Sequence, residues 1–505
     1  MGVITWLAQK LNPATPAPQQ RAYAGARLDR LSTAFGFGGN QSVDAGLRFA
    51  LPTLRNRSRD LAENNDYIAG YLELLGNKVI GATGIRLQVK SRGGDGKLDR
   101  EANNAIESAW KAWGKKGICD VTGKLSWVEL QRLSLISMAR DGEVFIRIVK
   151  QLRINKFNFA LQLIEADQVD INKNDILSNG NIIRMGVELN QWGKPVAYHV
   201  FETHPGDINL GAGTQFKTIR ISADEMIHLY RQLRPGQTRG VPWTAAVMTR
   251  LHHMGAYEEA AIINARFGAS KMGFYTKNAG AGDLPSDGKD ESGNLISEVE
   301  PGQLEVLPEG YDIKTFDPTY PSNEYDPFIK RQVKGASCGL PGATYSDLSN
   351  DLESVNFSSI RQGTLNARDS YRALQQLMID ILCIPIYELW LGQSLDFGLL
   401  VIISNKRGPN VTLPAGNYDK YNTPLFVGRG WDWVDPLKDQ KANSEALLNN
   451  LTTRTRIAAE CGEDFEEILA ERAQENELAE SFGISLDPLP TTQTTGDTNN
   501  ANANP

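Results

Sequence analysis

Apolar side chains in the first half of the chain recur at two different spacings. Recurrence every three to four positions predicts helices at 58–79 and 101–113. Short apolar runs bounded by charged or turn residues predict strands at 144–149, 159–164, 184–189, 196–201 and 226–230. The string QWGKP at 191–195 separates two of these strands and predicts a hairpin turn. We therefore expect the first half to be α+β.

Helical spacing dominates the second half. A long helix is predicted from Pro242, with an apolar stripe formed by Val247, Leu251, Met254, Ala261, Ile262 and Ala265. Short strands are expected near 304–307 and 313–316, followed by a helix from Asn323 to about 339. A third helix has a stripe formed by Ile360, Ala367, Tyr371, Leu374, Met378 and Ile381, and Pro385 should bend or end it. The segment 438–482 is again helical in pattern.

Three segments lack any apolar periodicity. Residues 1–40 contain the Pro/Gln-rich string PATPAPQQ and are expected to form a loosely ordered arm. Residues 483–505 end in TTQTTGDTNNANANP, which is too polar to offset the entropy of ordering it, so a disordered tail is expected. The Gly-, Asp- and Ser-rich stretch 278–297 is expected to be an exposed loop inside the fold.

Composition restricts the class of protein. The 505 residues are 41% hydrophobic, enough for a large core that needs no disulfide or metal, and the four cysteines form no CxxC pair. Lys plus Arg is 53 and Asp plus Glu is 60, which gives a net charge of −7 and argues against a tight, static DNA clamp. The most apolar stretch, 395–403, is far shorter than the ~20 residues of a membrane-spanning helix. We expect no membrane association.

Motifs for catalysis or metal binding are missing from the sequence. It contains no phosphate-binding glycine loop, no HExxH and no GxSxG, so we expect neither an enzyme nor a cofactor. Asp170, Asn172 and Asn174 resemble the start of a calcium loop, but Asp175 stands where glycine is required and Asn181 where glutamate is required. A polar turn between strands is the favoured interpretation. Glu225 and His228 are likewise interpreted as structural residues rather than as half of a metal site.

One small basic cluster has two open interpretations. Lys330, Arg331 and Lys334 give one predicted helix a basic side. Such a side is either a solvated helix face or a set of transient contacts to phosphate groups. Three residues do not decide between the two.

A series of short strings, in order along the chain, is more specific. RSRDLAENN, DGEVFIR, LIEAD, ADEMIHL running into RPGQTRGVPW, and GRGWDWVDP are the fullest of them. The whole series, including the shorter strings, occupies residues 57–65, 81–86, 141–147, 163–167, 192–198, 223–229, 234–243, 300–302, 355–361 and 428–436. Their content and order resemble those of the lambda-type portal proteins of tailed phages.

The resemblance implies an α+β portal fold assembled as a ring, usually of twelve copies, around a central channel. It divides this chain into an arm (1–40), a wing (41–241 and 358–437), two stem helices (242–270 and 322–340), a small α/β clip (271–321), a tunnel loop (341–357), helices of a crown (438–482) and a tail (483–505). Lys330, Arg331 and Lys334 become candidate channel residues. The candidate tunnel-loop residues are Asp347, Ser349, Asn350, Asp351, Glu353 and Asn356.

The resemblance also implies a function and partners. The ring would sit at one capsid vertex of the virion and conduct double-stranded DNA during packaging and ejection. Its implied partners are further copies of itself, the terminase large subunit, the major capsid and scaffold proteins, and head-completion or connector proteins, with synthesis in the host bacterial cytoplasm. The principal alternative is another ring-shaped phage structural protein, such as a head–tail connector or a baseplate component. A connector would lack an α/β insertion between two long helices.

Overall fold

The computed structural model describes residues 41–151, 153–207, 217–269, 324–351, 357–403, 410–431, 436–484 and Leu486, together with four short strands between 273 and 315. Within these ranges the chain is a mixture of helices and sheets, as the sequence predicts. The predicted strand at 304–307, the arm 1–40 and nearly all of the tail 483–505 lie outside the described residues.

Two helices open the described chain. Helix α1 (Val43–Asn64) is capped by Ser42, and α2 (Asp66–Leu75) is capped by the Asn65 side chain, which accepts a hydrogen bond from the Ile68 amide. The continuous helix predicted over 58–79 is therefore wrong at one point, because Asn65 adopts an extended conformation and ends one helix while starting the next. A π-helical turn, Gly76–Ile80, follows α2.

Helices α3 (Arg100–Trp113) and α4 (Trp127–Asp141) follow strand β1 (Arg86–Val89) and carry the aromatic centre of the core. The Trp110 ring centroid lies 4.7 Å from that of Trp113, 5.6 Å from that of Trp127 and 5.0 Å from that of Trp390. Burial of such large apolar rings supplies a major part of the folding free energy. This packing joins the first part of the chain to the part that follows residue 357.

Two antiparallel sheets lie between α4 and the next long helix. The three-stranded sheet has the order β3-β2-β9, formed by β2 (Glu143–Val149), β3 (Ala160–Ile164) and β9 (Met226–Tyr230). The five-stranded sheet runs from β4 to β8 in chain order, with strands Asp175–Ile176, Ile182–Arg184, Val187–Leu189, Pro195–Phe201 and Thr218–Ser222. The single strand predicted at 184–189 is wrong, because Met185 and Gly186 have φ angles of 47° and 81° and form a tight turn between β5 and β6.

The next helix begins later than the sequence predicts. A 3₁₀ turn (Trp243–Ala246) precedes α5 (Met248–Ala269), and Ile262 of the predicted buried stripe is 59% exposed. Strands β10 (Gly273–Lys277), β11 (Gly288–Lys289), β12 (Leu295–Ile296) and β13 (Tyr311–Thr315) follow, with β10 paired to β13 and β11 to β12. Helices α6 (Tyr325–Gly339) and α7 (Tyr345–Ser349) come next.

The longest helical segment continues past Pro385. Helix α8 (Phe357–Met378), a π-helical turn (Ile379–Cys383) and α9 (Ile384–Asp396) form one run, because the wider turn removes the need for the amide that proline lacks. Within the described chain, Arg361–Asp396 has the length and composition of a membrane-spanning helix, yet 56% of its most apolar window is buried inside the fold. Such burial is typical of a core helix.

Short elements then lead to the C-terminal helices. Strands β14 (Val401–Ile402) and β15 (Val411–Thr412) pair with each other, and after α10 (Tyr418–Tyr421) strand β16 (Pro424–Val427) pairs antiparallel with β1. The helical pattern predicted for 438–482 is confirmed by α11 (Pro436–Leu448), α12 (Arg454–Glu460) and α13 (Phe465–Ser481). Lys111 of α3 forms a 2.8 Å ion pair with Glu467 of α13.

Candidate functional site

Helices α5 and α6 pack closely because one glycine of α6 faces α5 and a second faces the residue just before α5. A Cβ atom on Gly335 would lie 2.6 Å from an Arg250 guanidinium nitrogen, and one on Gly339 would lie 2.6 Å from Val247 Cγ1. Arg250 also donates a 2.7 Å hydrogen bond to the side-chain oxygen of Gln332. The two helices therefore form a fixed pair, with strands β10 to β13 between them in the sequence.

The side chains of the predicted basic cluster lie on different sides of α6. Val333, Ala336 and Ser337 are buried and mark the packed face of the helix. At 100° per residue, Arg331 lies almost opposite this face, and both Arg331 and Lys334 are exposed. Lys330 lies at the border of the packed face and is 37% exposed. The three cations are therefore not equivalent.

Lys330 is neutralised by two carboxylates. Its Nζ lies 3.0 Å from Asp326 Oδ2, one turn earlier on α6, and 3.4 Å from Asp351 Oδ2. Hydrogen bonds from Lys330 to Asp326 and then to Asp351 raise the pKa of the ammonium group above its ordinary value. Lys330 remains charged, but its charge is already shared.

The predicted tunnel loop (341–357) contains a short helix. Thr344 and Asp347 form a capping box that starts α7, and Asn350, with φ of 52°, ends it. Within the tunnel loop predicted at 341–357, residues Tyr345–Ser349 are therefore helical, because the sequence T-Y-S-D carries a helix start signal. Tyr371 of α8 donates a 3.2 Å hydrogen bond to Asp347, which ties α7 to the long helix. The candidate residues Glu353 and Asn356 lie outside the described residues.

Lysines of the predicted basic cluster contact residues of the predicted tunnel loop. The Tyr345 hydroxyl donates a 2.8 Å hydrogen bond to Asp351, and Lys334 Nζ lies 4.9 Å from the centre of the Tyr345 ring. Ser349 donates from Oγ to the Tyr345 carbonyl at 2.8 Å. A cavity of about 360 Å³ borders these groups, lined by Tyr67, Asp326, Ile329, Lys330, Val333, Tyr345, Ser349, Asn350 and Asp351. Lys330, Lys334 and the helical part of the tunnel loop therefore form one polar site.

A second group of charged residues was missed by the sequence analysis and is fully buried. Glu143 accepts hydrogen bonds from Arg55, from Arg239 Nε at 2.7 Å and from the Gly240 amide at 2.8 Å, and its other close contact is His228 Nε2 at 2.7 Å. Burial alone would raise the pKa of Glu143, but the charges of Arg239 and Arg55 outweigh it and hold the pKa far below its ordinary value. Burial lowers the pKa of His228.

This buried network brings together strings that are far apart in the sequence. Arg59 donates to Asp141 at 2.8 Å, and Arg55 forms a 3.1 Å ion pair with Asp167. Arg239 also donates to the carbonyls of Ala166 and Met185. The motif residues at 59, 141–143, 167, 228 and 239–240 thus share one structural role, which is to join α1, both sheets and the approach to α5. A charge inside an apolar strand, as at Glu143, was the available signal, since it needs a buried partner.

The metal-site candidates form turns and ion pairs. Asp170 accepts a 3.0 Å hydrogen bond from the Asn172 amide and so stabilises the turn before β4. Asn174 accepts one from the Met185 amide, which ties this turn to the turn between β5 and β6. Across the described ranges, no group of three or more His, Cys, Asp or Glu side chains is placed to hold a metal ion. The thiols of Cys119 and Cys383 are buried, and Cys338 is exposed on α6.

Comparison with known proteins identifies the family. The model of the family described as phage portal protein, lambda family, matches residues 30–375. The probable portal protein of Halomonas phage phiHAP-1 is 36% identical over 481 residues, which cover 94% of this chain and 90% of that protein. Portal protein B of Escherichia phage lambda is 22% identical over 488 residues, 89% of each chain.

Among solved structures, a chain from the neck of an empty gene transfer agent (GTA) particle computed with C6 symmetry has 10% identity and a TM-score of 0.43, covering 82% of this chain and 94% of the other. The family match and the 36% identical relative each extend over most of the present chain. The chain therefore belongs to the lambda family of phage portal proteins, and it is a structural component of the virion rather than an enzyme.

Proposed function

We propose that this chain assembles into a closed ring, by expectation a dodecamer, at one vertex of the capsid, and that double-stranded DNA passes through its centre during packaging and ejection. One observation carries the proposal. The α5–α6 pair carries both apolar and basic side chains that are exposed in the single subunit. A ring needs these two kinds of surface, one for the neighbouring copy and one for the channel.

The exposed apolar residues support an interface between copies. Ile262 and Ile263 of α5 are 59% and 44% exposed, and Phe328 of α6 is 44% exposed. Several large apolar side chains exposed on one helix pair favour a protein contact over exposure to water. Cyclic assembly would bury them against an adjacent copy.

The basic residues support weak contact with DNA. Arg331 and Lys334 are exposed on α6, while the chain as a whole carries a charge of −7. Few cations on a mostly acidic wall give weak, salt-sensitive phosphate contacts that let DNA slide. In this proposal, Asp347, Ser349, Asn350 and Asp351 lie beside the channel as the first part of the tunnel loop.

Further parts of the chain are assigned to partners. The strands between α5 and α6 would form the clip, to which the terminase large subunit docks and which head-completion proteins bind later. The two wing segments would contact the major capsid and scaffold proteins, and α11 to α13 would form the crown. The presence of strands between α5 and α6 also favours a portal over a head–tail connector. The ring subunits would be made in the host bacterial cytoplasm.

A packaging assay in phage lacking its own portal gene tests the proposal. The double substitution R331A/K334A should reduce the DNA packaged per particle, while the purified variant keeps the same oligomeric mass. R472A, which removes the basic residue of the acidic helix α13, is the matched control and should package normally. Normal packaging by R331A/K334A would contradict the assignment of α6 to the channel wall.

A further inference from the structure

We propose that Asp351, assisted by Asp326, acts as an internal substitute for a DNA phosphate: it occupies Lys330 and so withholds this cation from DNA. The inference rests on the proposed function, because it assumes that α6 faces the channel. It adds a specific role for one carboxylate, which is to limit how strongly the channel wall binds DNA. Only Arg331 and Lys334 of the basic cluster are then available to DNA phosphates.

Asp351 is held in place for this role. Its carboxylate accepts a hydrogen bond from the Tyr345 hydroxyl at 2.8 Å and lies 3.4 Å from Lys330 Nζ. The backbone amide of Asp351 donates a 3.2 Å hydrogen bond to Ser349 Oγ, which holds the residue further in place. Tyr345 is the first residue of α7, which the Thr344–Asp347 capping box fixes at its start. The carboxylate is thus positioned by several contacts, and the ion pair does not depend on two mobile side chains finding each other.

The ion pair can exchange with an external anion. Lys330 is 37% exposed and Asp351 16% exposed, and both line the cavity of about 360 Å³. An ion pair with this much access to water is weak, so a competing phosphate can replace the carboxylate. A carboxylate and a phosphate oxygen make the same charge-assisted hydrogen bond to an ammonium group. Asp351 therefore lowers the affinity of the wall for DNA without removing a cation from it.

Chemical labelling of Lys330 measures the masking directly. Acetic anhydride reacts with neutral amines, and the ion pairs keep Lys330 protonated, so mass spectrometry of the purified chain should show slower acetylation at Lys330 than at Lys334. D351N should accelerate acetylation of Lys330 several-fold, and D326N/D351N more so. E324Q, an exposed site on the same end of α6 with the same charge change, should leave the rate unchanged. Equal rates in D351N and the unsubstituted chain would overturn the proposal.

DNA binding then measures the consequence. Fluorescence anisotropy of a short labelled duplex over a range of salt concentrations should show tighter binding by D351N, with a slope of log affinity against log salt steeper by roughly one for each additional phosphate that the protein neutralises. K330A should change binding little on its own and should abolish the increase in affinity when combined with D351N. Faster acetylation of Lys330 in D351N without tighter DNA binding would instead contradict the assignment of α6 to the channel. Failure of the masking proposal and failure of the proposed function therefore give different results.

Discussion

Glu143 is the centre of the buried charge network that joins the two sheets. It is fully buried and in contact with two arginines, one histidine and one backbone amide. Removing one partner from such a network leaves the remaining charges buried without compensation, which costs about 3–5 kcal/mol. The contacts explain why a glutamate occupies the start of a strand that is mostly apolar.

We therefore predict that E143Q lowers the free energy of unfolding by about 3–5 kcal/mol, because Arg55 and Arg239 lose their shared counter-charge. Urea denaturation followed by tryptophan fluorescence measures the change. D369N, which removes an exposed ion pair with Arg372, is the control and should cost less than about 1 kcal/mol. A similar, small effect of both substitutions would show that the buried network contributes little.

Glu107 predicts a dependence of stability on pH. Burial, with a smaller contribution from the charge of Asp464 on the C-terminal helices, raises the pKa of Glu107 from the ordinary 4.5 to about 7, although the hydrogen bond it accepts from the Val89 amide lowers it. Lys111 and Lys90 oppose this increase. Because the folded state holds the proton more tightly, the contribution of Glu107 is fully present below pH 4.5 and is lost as the pH rises through 7.

The substitution E107Q should consequently stabilise the protein relative to the unsubstituted chain at about pH 8, and the difference should disappear at about pH 4.5. Comparing urea midpoints of the two proteins at both pH values cancels the titration of all other groups. A difference that stays constant over this whole pH range would show that folding does not raise the pKa of Glu107.

The C-terminal helices are attached through a backbone contact that tolerates no side chain. A Cβ atom on Gly430 would lie 2.1 Å from the backbone carbonyl carbon of Cys461, between α12 and α13. Next to this contact, Gln375 of α8 donates to the carbonyls of Val79 and Arg429. Helix α8 thereby links the junction to the π-helical turn after α2, and through Tyr371 to α7.

We expect G430A to loosen the C-terminal helices, because two backbones would have to separate to accommodate the methyl group. Limited proteolysis should release the region after residue 430 faster from this variant than from the unsubstituted chain. G363A is the matched control: a Cβ on this helical glycine meets nothing within 4 Å, so it should stabilise α8 by about 1 kcal/mol. Equal release from G430A and G363A would mean that the junction is not closely packed in solution.

Periodicity predicted most elements of this fold but not their interruptions. Helix α3 and strands β2, β3, β7 and β9 lie within one or two residues of their predicted bounds, since one face of each is buried and sets the spacing. The break at Asn65 and the passage of the long helix through Pro385 depend on local hydrogen bonds that the apolar spacing does not encode. The capping sequence before Tyr345 could have been recognised as a helix start.

The site was predicted in part. The sequence identified Lys330, Arg331 and Lys334 as a group, because they lie together on one helix. It did not show that Asp351 neutralises Lys330 while Arg331 faces away, since the pairing crosses from α6 to the residue after α7. Contacts between Glu143 and residues almost 100 positions away were equally hidden, because no local pattern encodes them.

As a unit, the chain combines an internally satisfied charge network with unsatisfied apolar surface on α5 and α6. The charge network gives each subunit a defined shape, and the exposed apolar surface favours association with further copies. The acidic net charge of each subunit would be repeated around a ring, so DNA in the channel would meet a wall that is mostly repulsive. Assembly into a ring is the claim on which the channel, the masking of Lys330 and the docking surfaces all depend.

The mass and symmetry of the purified full chain test that claim most directly. Native mass spectrometry, combined with class averages from negative-stain electron microscopy, should show rings of about twelve copies with a central hole. I262E should shift the mass toward single subunits while leaving the urea midpoint unchanged, and I262L should keep the ring. Closed particles without a central hole, or single subunits at every concentration tested, would contradict the account.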